Sequence, residues 1–101
     1  MSSGAEVIRG LVTGGAGAIG SAISRRLAED GLHVIVHANT SAEAAARVAT
    51  QIQERGGVAQ TACFDVTNGE ATRAALEKLL ETGAIQVLVN NAGIHEDAPM
   101  P

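Results

Sequence analysis

The sequence predicts an α/β chain: a doubly wound, parallel sheet with strand order 3-2-1-4. Three observations predict it. Strand-like apolar runs alternate with stretches of helical periodicity along the whole chain, and a glycine cluster separates the first run from the first helix. Two of the runs, "LHVIVH" and "AIQVLVN", are nearly continuous in apolar residues. Strict β-α-β alternation calls for right-handed crossovers and hence parallel strands. Continuous apolar strands are what a parallel sheet covered on both faces requires.

The elements follow in order. "EVIRGLVT" (6–13) is a short strand ending at the glycines. Ile19, Ala22, Ile23 and Leu27 fall at i, i+3, i+4 and i+8 and predict an amphipathic helix, which Gly31 ends. "LHVIVH" (32–37) is the second strand. Ser41 to Arg55 is helical, with Ala45, Ala49 and Ile52 on one face, Thr40 or Ser41 as cap and Gly56-Gly57 as the stop. "VAQTACF" (58–64) is the third strand. "TNGE" (67–70) has capping-box spacing, with Thr67 as N-cap and Glu70 reaching back. The helix it opens runs to about Thr82 and buries Ala75, Leu76, Leu79 and Leu80. "AIQVLVN" (84–90) closes the series. The result is an incomplete doubly wound, Rossmann-like half in a single domain, residues 1–101.

Composition bounds the function. Phe64 is the sole residue of the Phe/Trp/Tyr set, so the core must be built from Val, Ile, Leu and Ala. Each such side chain buries little area, at roughly 25 cal/mol per Å², and modest stability is expected. The net charge of −4, with no basic run, argues against nucleic acid and anionic membranes as partners. The sole cysteine, Cys63, suits a reducing compartment and is expected to be a small buried hydrophobe. "MSSGAEVIRG" has no basic n-region, and no segment approaches the ~18 apolar residues of a membrane span, so a cytoplasmic location is expected.

"LVTGGAGAIGSAI" (11–23) fits three glycine frames. Gly15, Gly17 and Gly20 give G-x-G-x-x-G. Thr13, Gly14, Gly17 and Gly20 give T-G-x-x-G-x-x-G. Thr13, Gly14 and Gly20 give T-G-x-x-x-G-x-G if Ala18 replaces the middle glycine. Between a strand and a helix such a loop lets backbone approach a pyrophosphate, and the helix start supplies free N–H donors. The bland alternative is a glycine-rich turn without a ligand. "NNAG" (Asn90, Asn91, Ala92, Gly93) follows the fourth strand, where its amides can tie strand ends together and its small residues admit a ribose. Asp65-Val66 ends the third strand, placed to bond an adenine amine and pack on its face, or simply to form a turn.

These three features in this order resemble the short-chain dehydrogenase/reductase family over nearly the whole chain. "VIVHANTSAEAAARVATQIQERGGVAQTACFDVTNGEA" is most similar to its 3-oxoacyl-acyl-carrier-protein reductases. The resemblance implies a nicotinamide dinucleotide and hydride transfer between alcohol and ketone. N-N-A-G belongs to the reductase branch, so it favours the Thr13-Gly14…Ala18…Gly20 frame over that of extended-branch epimerases and dehydratases. The cofactor-binding residues it implies are Thr13, Gly14, Ala16, Gly17, Ile19, Gly20, Asn39, Thr40, Asp65, Val66, Asn90, Asn91, Ala92 and Gly93.

The end of the second strand chooses the cofactor. Ala38 stands where NAD users of the family place Asp, and Asn39, Thr40 and Ser41 suit a 2′-phosphate. NADP is therefore expected, with NAD possible. The arginine of many NADP-dependent relatives is missing, because Gly17 stands in its place. His37 could assist a phosphate when protonated, or serve simply as a partly exposed spacer at the strand end.

In the family a Tyr, a Lys four residues on, a Ser and an Asn perform catalysis, all downstream of N-N-A-G. This chain has no tyrosine, and its one lysine, Lys78, lies mid-helix. No catalytic residue is assigned, and the 101 residues read as the N-terminal portion of a longer reductase. His95, Glu96 and Asp97 read as a solvated loop lining the approach to the nicotinamide, not as metal ligands. In the longer protein a small-molecule or acyl-carrier-protein-bound carbonyl substrate and a homo-oligomer are implied. The alternatives are a non-catalytic nucleotide-binding or interaction module and an epimerase or dehydratase fragment. The fourth strand would offer an unpaired apolar edge, so the isolated chain is expected to be marginally stable or self-associating.

Overall fold

A computed structural model describes residues 7–91. Its elements are β1 (Arg9–Thr13), α1 (Ala18–Glu29), β2 (His33–Ala38), α2 (Ala42–Glu54), β3 (Val58–Cys63), α3 (Gly69–Leu80) and β4 (Val87–Asn90). All strand pairs are parallel, in the order β3-β2-β1-β4 that the alternation predicts. The register sets Thr13 beside Asn90, Val12 beside Val36 and Ala38 beside Cys63. Parallel strands in this register bring every glycine, amide and carboxylate motif to one edge of the sheet.

Side chains of the central strands alternate between two apolar layers. Val12, Val34, Val36 and Ala38 pack against Ala45, Val48, Ala49 and Ile52 of α2, with Ile23 and Leu27 of α1 partly buried beside them. Leu11 and Ile35 point the other way, onto Leu79 of α3, with Leu76 and Ile85 partly buried there. Ser41 is the cap that α2 uses, its side chain accepting from the Ala44 N–H at 3.1 Å.

Several local expectations need correction. The buried residues of α1 are Gly20 and Ser24, whereas Ile19 and Ala22 are exposed. The helix lies so close to the loop beneath it that only the smallest side chains fit between them. Asn68, not Thr67, caps α3, because the Thr67 side chain is turned onto the Asp65 carboxylate. Leu80 is exposed, and β4 is shorter than its apolar run. Cys63 is exposed, because β3 is an edge strand with one flank open. At the N-terminal end of the central strand β1, buried Arg9 donates from Nη1 to the carbonyls of Leu79 and Gly83 and holds the end of α3. A cation at those carbonyls complements the negative end of the helix dipole.

Candidate functional site

The β1–α1 loop carries the first part of the site. Gly14 adopts φ of 65°, the left-handed region that glycine enters freely. A Cβ on Gly20 would lie 2.0 Å from the Gly14 carbonyl oxygen, so this position admits no side chain at all. At Gly17 the same Cβ would sit 3.6 Å from its nearest neighbour, an ordinary contact. Ala18 opens α1, and no described residue other than glycine has positive φ. The geometry thus demands glycine at 14, 15 and 20, tolerates a side chain at 17 and accepts alanine at 18. The tolerance at 17 and the alanine at 18 are compatible with the T-G-x-x-x-G-x-G frame.

Helix α1 starts without a side-chain cap or an acidic residue in its first turn. The Gly17 N–H bonds the Gly14 carbonyl at 3.1 Å, and the Gly15 N–H bonds the His37 carbonyl at 2.7 Å. The N–H groups of Ala16, Ala18, Ile19 and Gly20 have no partner among the described residues. Unpartnered amides at the positive end of a helix suit an anion. Ile19, in the first turn of α1, leaves an apolar side chain 43% exposed.

Strand β4 fixes this loop from one side. The Asn91 Nδ2 donates to the Gly14 carbonyl at 3.1 Å, and the Thr13 hydroxyl lies 3.2 Å from both the Val89 carbonyl and Asn90 Oδ1. Ala92, Gly93, His95, Glu96 and Asp97 lie outside the described residues.

Strand β2 fixes it from the other side through His37, which is not the partly exposed spacer expected but fully buried. Its Nδ1 accepts from the Gly14 N–H at 2.9 Å, and its Nε2 lies 2.7 Å from the Phe64 carbonyl. An amide can only donate and a carbonyl can only accept, so the imidazole hydrogen sits on Nε2. The Phe64 ring packs on the imidazole with centroids 4.3 Å apart.

Asp65 and Asn39 close the row. The Asp65 Oδ1 accepts from the Thr67 hydroxyl at 2.7 Å, the Thr67 N–H at 2.9 Å and Asn39 Nδ2 at 3.3 Å. These bonds, the Thr67 hydroxyl foremost, hold its carboxyl below the ordinary aspartate range. Oδ1 thus makes the turn, while Oδ2 has no partner among the described residues. The Asn39 Oδ1 accepts from the Val66 N–H at 2.9 Å, so its amide is committed to the end of β3. Thr40 is exposed beside it at the start of α2. A groove of about 410 Å³, lined in part by Thr13, Phe64, Val66, Leu76 and Asn90, runs from these strand ends along the α3 side of the sheet.

The family model described as short chain dehydrogenase matches residues 9–101. The chain belongs to the short-chain dehydrogenase family. It is 44% identical over 92 residues to the uncharacterized oxidoreductase YuxG of Bacillus subtilis (strain 168), covering 88% of this chain and 13% of YuxG. The short-chain dehydrogenase/reductase homolog YusS of the same organism is 36% identical over 91 residues, with 89% of this chain and 84% of YusS covered. A gluconate 5-dehydrogenase from Burkholderia cenocepacia J2315, solved in complex with NADP and tartrate, superposes with a TM-score of 0.81 at 38% identity. That match covers 94% of this chain and 37% of the solved one. The chain spans 13% to 36% of the length of the first curated relatives it matches.

Within the short-chain dehydrogenase fold, the feature that sequence reasoning missed is His37. Its signal was present: a polar ring inside the "VIVHA" run of a central strand needs buried partners, and the adjacent glycine loop exposes amides.

Proposed function

We propose that the chain is the NADP-binding part of a short-chain reductase, with the dinucleotide lying along the row of strand ends. Asp65 and Val66 take the adenine, and Asn39 and Thr40 flank the 2′-phosphate at the start of α2. The pyrophosphate rests on the open amides of Ala16, Ala18, Ile19 and Gly20, in a cradle shaped by Thr13, Gly14 and Gly17. Asn90, Asn91, Ala92 and Gly93 border the nicotinamide ribose.

The observation that carries the proposal is the uncapped start of α1 with its four unpartnered amides. The NADP complex of the Burkholderia relative supports the choice of ligand. NADP is favoured over NAD because β2 ends in Ala38, with no carboxylate to receive a ribose 2′-hydroxyl. The bound cofactor would supply the hydride; the residues of this chain bind and orient it. The chain has no tyrosine, and Lys78 lies in the last turn of α3, at the Arg9 end of the sheet. The 101 residues are therefore proposed to bind without reducing.

For the whole protein the proposed activity is carbonyl reduction, of 3-oxoacyl thioesters on an acyl-carrier protein, by a homo-oligomer. The likeness of residues 34–71 supports that substrate. The gluconate 5-dehydrogenase relatives make a polyhydroxy acid its competitor.

Calorimetry with NADPH and NADH tests the binding proposal. NADPH is expected to bind more tightly, Gly20→Ala to abolish binding and Gly17→Ala to preserve it. Absence of heat with both nucleotides overturns the proposal, and tighter binding of NADH overturns the choice of cofactor.

A further inference from the structure

We propose that His37 is the positioning residue of the nucleotide cradle, setting the glycine loop and the adenine-side turn at once without touching the ligand. The inference rests on the cofactor reading above and names what holds that site in shape. Three bonds converge on this residue: the Gly14 N–H on Nδ1 at 2.9 Å, the Gly15 N–H on its own carbonyl at 2.7 Å, and Nε2 on the Phe64 carbonyl at 2.7 Å. The Phe64 N–H returns a fourth bond to the neighbouring Ala38 carbonyl at 3.1 Å.

Two consecutive amides of the loop are thereby turned toward β2, leaving those of Ala16, Ala18, Ile19 and Gly20 for a ligand. The same ring orients the Phe64 carbonyl, one residue before Asp65 and Val66. At 0% exposure the imidazole has no water to replace either bond. Losing one of them leaves a buried amide or carbonyl unpaired, a larger penalty than losing an exposed contact. Strand β2 lies between β1 and β3, and the His37 ring spans from the loop after β1 to the residue after β3.

The two ring nitrogens can be tested separately in the full chain. In His37→Asn the side-chain carbonyl stands near Nδ1 and can still accept from Gly14. In His37→Gln the amide reaches toward the Nε2 position and can still donate to Phe64. The expectation is that His37→Asn keeps slow hydrogen exchange at the Gly14 amide and weakens NADPH binding, through the unpaired Phe64 carbonyl, by less than His37→Gln does, because the loop bond survives. His37→Gln is expected to lose protection at Gly14, keep it at Gly15, and bind NADPH about tenfold or more weakly, the cost of one unpaired buried donor. Equal affinities in the two variants, or equal Gly14 exchange, overturn the proposal.

Should both variants fail to fold, the imidazole nitrogen spectrum of the wild-type chain decides. Hydrogen on Nε2 with a bare Nδ1 supports the clamp, and the opposite tautomer overturns it. A wild-type chain that binds no nucleotide would sink the cofactor reading, while the exchange pattern would still decide the role of His37.

Discussion

The two faces of the sheet are built to different standards. On the side of α1 and α2, Val12, Val36, Ala45, Val48, Ala49 and Ile52 are all 6% exposed or less. On the side of α3 the buried apolar residues are Leu11, Ile35, Leu79 and Phe64, while Leu80 is 51% and Leu88 65% exposed. The same β-α-β chemistry made both, so the difference lies in coverage. Two helices shield the first face over the central strands; one helix crosses the second and leaves a groove on each flank. Cohesion is therefore concentrated on one side, and the other presents apolar surface available for contact.

Truncating one buried aliphatic on each face is the most severe way to test this contrast. Ile52→Ala is expected to cost about 3 kcal/mol and Leu79→Ala about 2, because the thin face can relax into the space left behind. Urea unfolding followed by circular dichroism measures both, and equal losses would mean that the faces are equally packed.

A smaller effect is expected from Leu88→Lys on the open strand β4. Stability should change by no more than about 0.5 kcal/mol, since the side chain is largely in solvent. Self-association in sedimentation velocity should fall, because a charged edge resists pairing with another strand. A wild-type chain that is already a monodisperse monomer would remove the hazard assigned to that edge.

The smallest effect concerns the turn at Asp65, which joins the two faces. Its carboxyl lies below the ordinary range when folded, so the contribution is fully present above about pH 4, the value for an unfolded aspartate. It is lost as pH falls through the lowered folded value. Asp65→Asn should flatten the stability profile in that acid window and leave the neutral region nearly unchanged. An unaltered profile between pH 2 and 5 would show that the hydrogen bonds to Thr67 do not discriminate between the two charge states.

Most of this architecture could be read from the chain because its signals are local. Strand order followed from alternation, and the helix boundaries from Ser41, Gly31 and Gly56. What escaped was long-range. The exposed Ile19 and buried Ser24 invert the usual apolar stripe because α1 must sit against the loop that precedes it, a distance no periodicity encodes. Thr67 lost the cap of α3 to Asn68 because Asp65 competes for its hydroxyl. His37 looked like a spacer because its partners, Gly14 and Phe64, stand 23 and 27 residues away. The site residues themselves were legible as motifs. The Asn39 amide, by contrast, belongs first to the end of β3.

The tilted packing of Phe64 on His37 also gives the molecule a built-in reporter. No other benzene or indole ring exists in the chain, so the Phe64 ring current acts on the His37 protons without competition from another such side chain. Their resonances should stand apart from those of the other two histidines, His33 and His95, and move when the ends of β2 and β3 separate. A single pair of lines in a proton spectrum would then follow the integrity of the cradle, without a label, a tryptophan or a bound nucleotide.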